Sequence, residues 1–190
     1  DPPILLLLAQ TLAALRAGRP ARAGVALALA AALKLYPGML VLYFIWRREW
    51  RAAVSFAVAF IVWNVLAAAL TSPGDTLTYY TQVLSLSGGS SAWVENQTIS
   101  AFLARLFTDR LRQEEFPHTL PLRWLLLTGL TYATSLGAVA VSLWATRRVR
   151  PGDGVAYALG FCAWVCVGVF ALPLAWLHLL VAFLRPLAVA

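Results

Sequence analysis

Three groups of polar residues interrupt an otherwise oily chain, and their chemical types suit the handling of an anion. The first is Lys34, in the run Ala30-Ala-Ala-Leu-Lys-Leu-Tyr-Pro-Gly38 near the middle of an arginine-flanked apolar stretch. The others are the pair Asn96-Gln97 and, toward the end of the chain, His178, two residues after Trp176. A cation surrounded by hydrocarbon is costly, so Lys34 must face protein, water or an anionic ligand. Lysine serves phosphate as a compact point charge. A lipid-linked phosphate could therefore meet Lys34, Arg105 or His178 while its lipid tail stays in a bilayer. Plainer roles stand beside that one. Lys34 could pair with a carboxylate elsewhere, and His178 could bond a backbone carbonyl at an interface. Asn96 begins Asn-Gln-Thr, formally a glycosylation acceptor, and could also cap a helix beginning near Thr98. Asp75 and Glu95 are the carboxylates best placed to act with these groups, whereas Glu114, Glu115 and His118 read as solvated loop.

The spacing of Cys and His offers no metal site. Cys162 and Cys166 lie one helical turn apart in an apolar segment, where free cysteine behaves as a small hydrophobe. There is no CxxC and no paired histidine, so neither a metal nor a cofactor is implied.

Composition decides what must position these groups. The chain is 61% hydrophobic and only 12% charged, against about half and about a quarter in soluble domains, so an integral membrane protein is expected. Its eight tryptophans suit interfacial anchoring. The net charge of +7 does not form one basic face of the kind nucleic acid requires. Nine of the fifteen basic residues fall in three short clusters: Arg16/Arg19/Arg22, Arg47/Arg48/Arg51 and Arg147/Arg148/Arg150. Basic loops between apolar runs mark the cytoplasmic side.

The pattern predicts an all-α, polytopic transmembrane bundle forming a single domain over 1–190, part of a longer protein cut at both ends. Pro3–Leu15 reads as a first, truncated helix. Residues 24–46 could form one helix of ~34 Å, enough to cross. Both ends are arginine-rich, however, and the Pro-Gly pair breaks the middle, so a re-entrant hairpin of two half-helices turning near Lys34–Gly38 is favoured. Irregular backbone at that depth is tolerated where it is buried in protein or lines a cavity. Ala52–Leu70, Leu122–Thr146 and Val155–Ala171 read as spans, with another truncated helix starting at Trp176. Asn64 is expected to bond a neighbouring helix. The stretch 71–121 sets five carboxylates (Asp75, Glu95, Asp109, Glu114, Glu115) against three arginines (Arg105, Arg110, Arg112) and reads as a long outer loop. Within it, Thr76–Leu86 and Thr98–Phe107 are expected as short interfacial helices joined by a flexible Ser/Gly connector.

Three runs carry a resemblance: Ala31-Ala-Leu-Lys-Leu-Tyr-Pro37 with Tyr43 and Arg47-Arg48, Glu95-Asn-Gln-Thr-Ile-Ser-Ala-Phe-Leu-Ala-Arg105, and Leu172-Pro-Leu-Ala-Trp-Leu-His178. In order and spacing they resemble glycosyltransferase family 87, whose members are GT-C-type membrane enzymes. The family pattern has Ser where Ala175 stands. The resemblance implies an inverting, multi-pass enzyme of the bacterial plasma membrane with its active site facing outward. It would move a hexose, mannose above all, from a polyprenyl-phosphate donor to a hydroxyl of a lipid or glycolipid acceptor. Carried onto this chain, Lys34 and Tyr36 match one motif, Asn96 and Gln97 the second, and Trp176 and His178 the third. Lys34 or His178 would stabilise the departing phosphate and Asn96/Gln97 would shape the sugar or acceptor pocket. The family's catalytic aspartate precedes this segment, so the general base would lie upstream and the 190 residues alone would be inactive. A secondary transporter or flippase with a midplane anion site, and a structural membrane subunit, are the competing readings.

Overall fold

The computed structural model describes residues 2–83, 98–107, 122–149 and 153–170. Among them the protein is all-helical, as expected. The helices are α1 (Pro2–Arg16), α2 (Pro20–Leu33), α3 (Leu40–Trp46), α4 (Trp50–Leu70), α5 (Pro73–Thr78), α6 (Ile99–Phe107), α7 (Leu122–Thr146) and α8 (Gly154–Phe170). A 3-10 turn over Tyr36–Met39 separates α2 from α3, and a π-helical turn over Tyr79–Val83 follows α5.

Local chemistry sets most of these boundaries. Proline opens α2 and α5, where its missing N–H would have had no helical partner. The α1–α2 turn passes through Gly18 at φ +65°, a left-handed conformation that glycine adopts without a Cβ penalty. Ser72 caps α5 by accepting from the Asp75 N–H at 3.0 Å, and Thr98 caps α6 by accepting from the Ala101 N–H at 3.1 Å. The cap of α6 is thus Thr98 rather than Asn96.

The packing centre is α2, which lies between α1 and α4. Ala23, Leu27, Ala28 and Ala30 are fully buried. At Gly24 the backbones of α2 and α4 nearly touch. A Cβ there would overlap the Ala52 carbonyl oxygen and come within 2.7 Å of the Phe56 nitrogen. Small residues that let helices approach this closely are the usual device of membrane-helix association, where dispersion contacts replace the hydrophobic effect.

That contact decides between one helix and a hairpin. Ala52 is five residues beyond Arg47, a reach of about 18 Å even for extended chain. A straight helix from Gly24 would carry Trp46 ~34 Å away, too far for Ala52 to return to Gly24. The chain must reverse, and the reversal is the Lys34–Met39 break. The expected hairpin is therefore present, with α2 beginning at Pro20 and α3 only 7 residues long.

Among the described residues one helix, α4, is both long and apolar enough to cross a membrane. Its exposed apolar surface extends well beyond one face: Val54, Val58, Val62, Leu66 and Trp63 follow one another around the axis and are all exposed. A helix that is hydrophobic all round needs an apolar surrounding. Helix α7 has 25 residues and also exposes Leu126, Leu136, Val141 and Trp144, whereas α1, α2 and α8 are 15, 14 and 17 residues long.

Candidate functional site

The tip of the hairpin is built by its own sequence. Pro37 has no N–H to give a continuing helix, and its ring would press on the carbonyl four residues back, so α2 stops at Leu33. Lys34 takes an extended conformation (φ −148°, ψ 132°) while its N–H still donates to the Ala30 carbonyl at 3.0 Å. The Gly38 N–H then donates to the Leu35 carbonyl at 2.9 Å, tightening the turn before α3 starts. Lys34 is half-buried and stands at the C-terminal, negative end of α2, where a cation is favoured. Tyr36 and Pro37 are buried beside it, so the turn has one side packed into protein and carries its cation at the margin.

Helix α8 braces the returning limb along its whole length. At the base, Arg47 Nη1 donates to the Thr146 carbonyl at 3.4 Å and its guanidinium lies 5.6 Å from the Tyr157 ring centroid. One level up, the fully buried Tyr43 meets Phe161 edge-on at 5.9 Å and Trp164 at 6.0 Å. Trp164 Nε1 donates to Thr146 Oγ1 at 3.3 Å, tying α7 into the same cluster. At the tip, the Tyr36 carbonyl oxygen would lie 3.6 Å from a Cβ on Gly168. Tyr157 and Gly168 are eleven residues apart, so the tip stands about 16 Å beyond the Arg47 level. That is close to half of a hydrocarbon core about 30 Å thick.

The same contacts gather the basic turns. Arg47 on Thr146 brings Arg47-Arg48 beside Arg147-Arg148, and Gly24 on Ala52 brings Arg22 beside Arg51. The described members of all three clusters therefore share one end of the molecule, as the charge pattern predicts.

Beyond α4 the chain folds back. Tyr80, on the π turn, donates its hydroxyl to Asn64 Oδ1, while Asn64 Nδ2 donates to the Phe60 carbonyl at 2.8 Å. Asn64 thus holds the start of the 71–121 stretch rather than a spanning helix. The helix expected over Thr76–Leu86 begins earlier, at Pro73, because Ser72 supplies the cap.

Of the residues singled out for chemistry, the structure brings Lys34 and Tyr36 together in the tip and puts Arg105 on α6, where its side chain is outside the described part. Asn96, Gln97, Trp176 and His178 lie outside the described residues. Sequence reasoning missed the Tyr43–Arg47–Thr146–Trp164 cluster. Its one local signal was an aromatic residue four positions before an arginine, which places both on one helix face.

The described residues define an all-helical protein with a lysine-tipped, broken hairpin and one helix long and apolar enough to cross a membrane. The sequence model of glycosyltransferase family 87 matches residues 1–173, and the chain belongs to that family. It is similar to two curated proteins described as polyprenol-phosphate-mannose-dependent alpha-(1-2)-phosphatidylinositol mannoside mannosyltransferases. The one from Mycobacterium tuberculosis is 34% identical over 161 residues, and the one from Mycolicibacterium smegmatis is 31% identical over 162. Each alignment covers 82% of this chain and 33% of the relative, so the chain spans about a third of the relatives' length. No solved structure matches it.

Proposed function

We propose that the protein containing this chain is a multi-pass membrane glycosyltransferase that moves mannose from a polyprenyl-phosphate donor to a hydroxyl of a glycolipid acceptor. The names of the two relatives supply the donor and a phosphatidylinositol mannoside acceptor as the first candidates. The observation that carries the reading in this chain is the cation at the hairpin tip. Lys34 stands about 16 Å from the basic end, next to buried Tyr36 and Pro37. The active site faces away from that end, on the outer side of the plasma membrane. In this proposal Asn96, Gln97, Arg105, Trp176 and His178 are the further candidates for contact with donor or acceptor.

In the transfer, the acceptor oxygen attacks the anomeric carbon as the bond from that carbon to the phosphate oxygen breaks. A carboxylate base takes the hydroxyl proton. The polyprenyl phosphate leaves as an anion whose growing charge a fixed cation stabilises, and this is the role of Lys34. The hairpin suits it because the cation is held in place before the charge develops. The family resemblance assigns that base to a position before this segment.

The test is turnover of polyprenyl-phosphate-mannose by the full-length protein. Lys34→Met is expected to lower kcat/KM by about 100-fold or more with unchanged helical content, the scale of losing one charge-stabilising group. Wild-type turnover in that variant would overturn the role.

A further inference from the structure

A groove of about 400 Å3 opens between α1 and α2, toward the basic end of the molecule and away from the hairpin tip. Its depth is apolar, lined by Leu7, Val25, Ala26 and Leu29, and its polar side chains are Gln10 and Arg22. The two helices are antiparallel about the Gly18 turn, so Arg22 stands at the mouth and Leu29 about 10 Å deeper. Arg16 and Arg19, both exposed, lie in the adjoining turn, outside the groove's lining. Residues 2–33 contain no Asp or Glu, so no carboxylate in this stretch offsets the three guanidinium groups. Arg22 is itself exposed, free to turn toward a headgroup.

We infer that this groove binds an anionic phospholipid of the cytoplasmic leaflet, with its phosphate at Arg22 and one acyl chain along Leu7, Val25 and Leu29. Three observations point to that occupant. The polar mouth and apolar depth run in the order in which a lipid presents headgroup and chain. The mouth lies at the end where all the basic turns gather, which is headgroup level for the inner leaflet. Its charge is of one sign, and basic pockets between membrane helices on this side select acidic headgroups over zwitterionic ones. Gln10, about a turn deeper than Arg22, supplies an amide donor for the glycerol ester oxygens. This inference rests on the bilayer placement in the proposed function and not on sugar transfer, so an inactive transferase leaves it standing.

Native mass spectrometry of the full-length protein, delipidated in detergent and titrated with phosphatidylglycerol or phosphatidylcholine, tests it. The wild type should retain phosphatidylglycerol at least about five-fold better, the worth of one basic group at a membrane surface. Arg22→Gln should reduce that preference by about the same factor. Val25→Trp, which fills the groove from a half-exposed position, should weaken retention of both lipids. Arg148→Gln, in a different basic turn, should change neither. Equal retention of the two lipids by the wild type would sink the idea. So would an Arg148→Gln loss matching that of Arg22→Gln, or a Val25→Trp variant that retains lipid normally. Circular dichroism on each variant keeps misfolding from passing as lost binding.

Discussion

Lys34 owes its place to its neighbours. Pro37 ends α2, and the terminated helix leaves its last carbonyls at the lysine's end, so the cation gains a favourable dipole. Substituting Lys34→Arg keeps the charge but exchanges a compact three-donor ammonium for a planar fork. Steady-state kinetics on that variant should show turnover well above Lys34→Met and below wild type. Identical kinetics for the two variants would mean that charge is not what the position supplies. Gly24 makes a contrasting case, in which function depends on the absence of a side chain. Gly24→Ala is expected to cost about 1–3 kcal/mol, because the new methyl meets α4 backbone that cannot swing aside. A melting curve in detergent reads this directly.

Among the elements, the hairpin and α8 form a bracket whose parts differ in how well sequence exposes them. The break at Lys34–Gly38 was legible, because Pro-Gly at the centre of an apolar run has few other uses. The brace was not. Arg47 resembles every other arginine in its cluster, and its acceptor is a backbone carbonyl 99 residues away. Tyr43 resembles any interfacial aromatic until Phe161 and Trp164 are seen around it. Removing the ring with Tyr43→Ala should cost about 3–5 kcal/mol and be visible as a lower midpoint of thermal unfolding. The Asn64–Tyr80 bond is a smaller tie on the other side of α4. A double-mutant cycle of Asn64→Leu and Tyr80→Phe should give a coupling of about 0.6–1.7 kcal/mol, the range for hydrogen bonds between membrane helices. Additive single effects would show that Tyr80 is merely near Asn64. Asn64 was read in sequence as glue between spans; the actual partner escaped because nothing in the Tyr79-Tyr80 pair announces that the chain turns back along α4.

At the scale of the molecule, one contact ties sequence pattern to orientation. The charge bias alone says that three arginine clusters share a side, but it says so statistically. The Arg47–Thr146 bond and the Gly24–Ala52 approach say so by geometry, through a hydrogen bond and a backbone packing contact that the bias does not count. The two arguments are independent and agree. They fix α4 as the helix that leaves the basic end, with Arg48 and Asp75 beyond its opposite ends. A bilayer crossed by α4 therefore separates these two residues. Replacing Cys162 and Cys166 by Ala, with any cysteine outside this segment, gives a background for single cysteines, and both sites sit in helix α8 where small residues suffice. In intact cells a membrane-impermeant maleimide should label Asp75→Cys and leave Arg48→Cys and Arg148→Cys untouched until the cells are opened. Labelling of Arg48→Cys and Arg148→Cys from outside, with Asp75→Cys protected, would invert the molecule and put the hairpin tip toward the cytoplasm. A split between Arg48→Cys and Arg148→Cys would be more damaging, because it would break the shared end on which the depth of Lys34 was reckoned. The outward-facing transfer site requires the first pattern and is incompatible with either of the others.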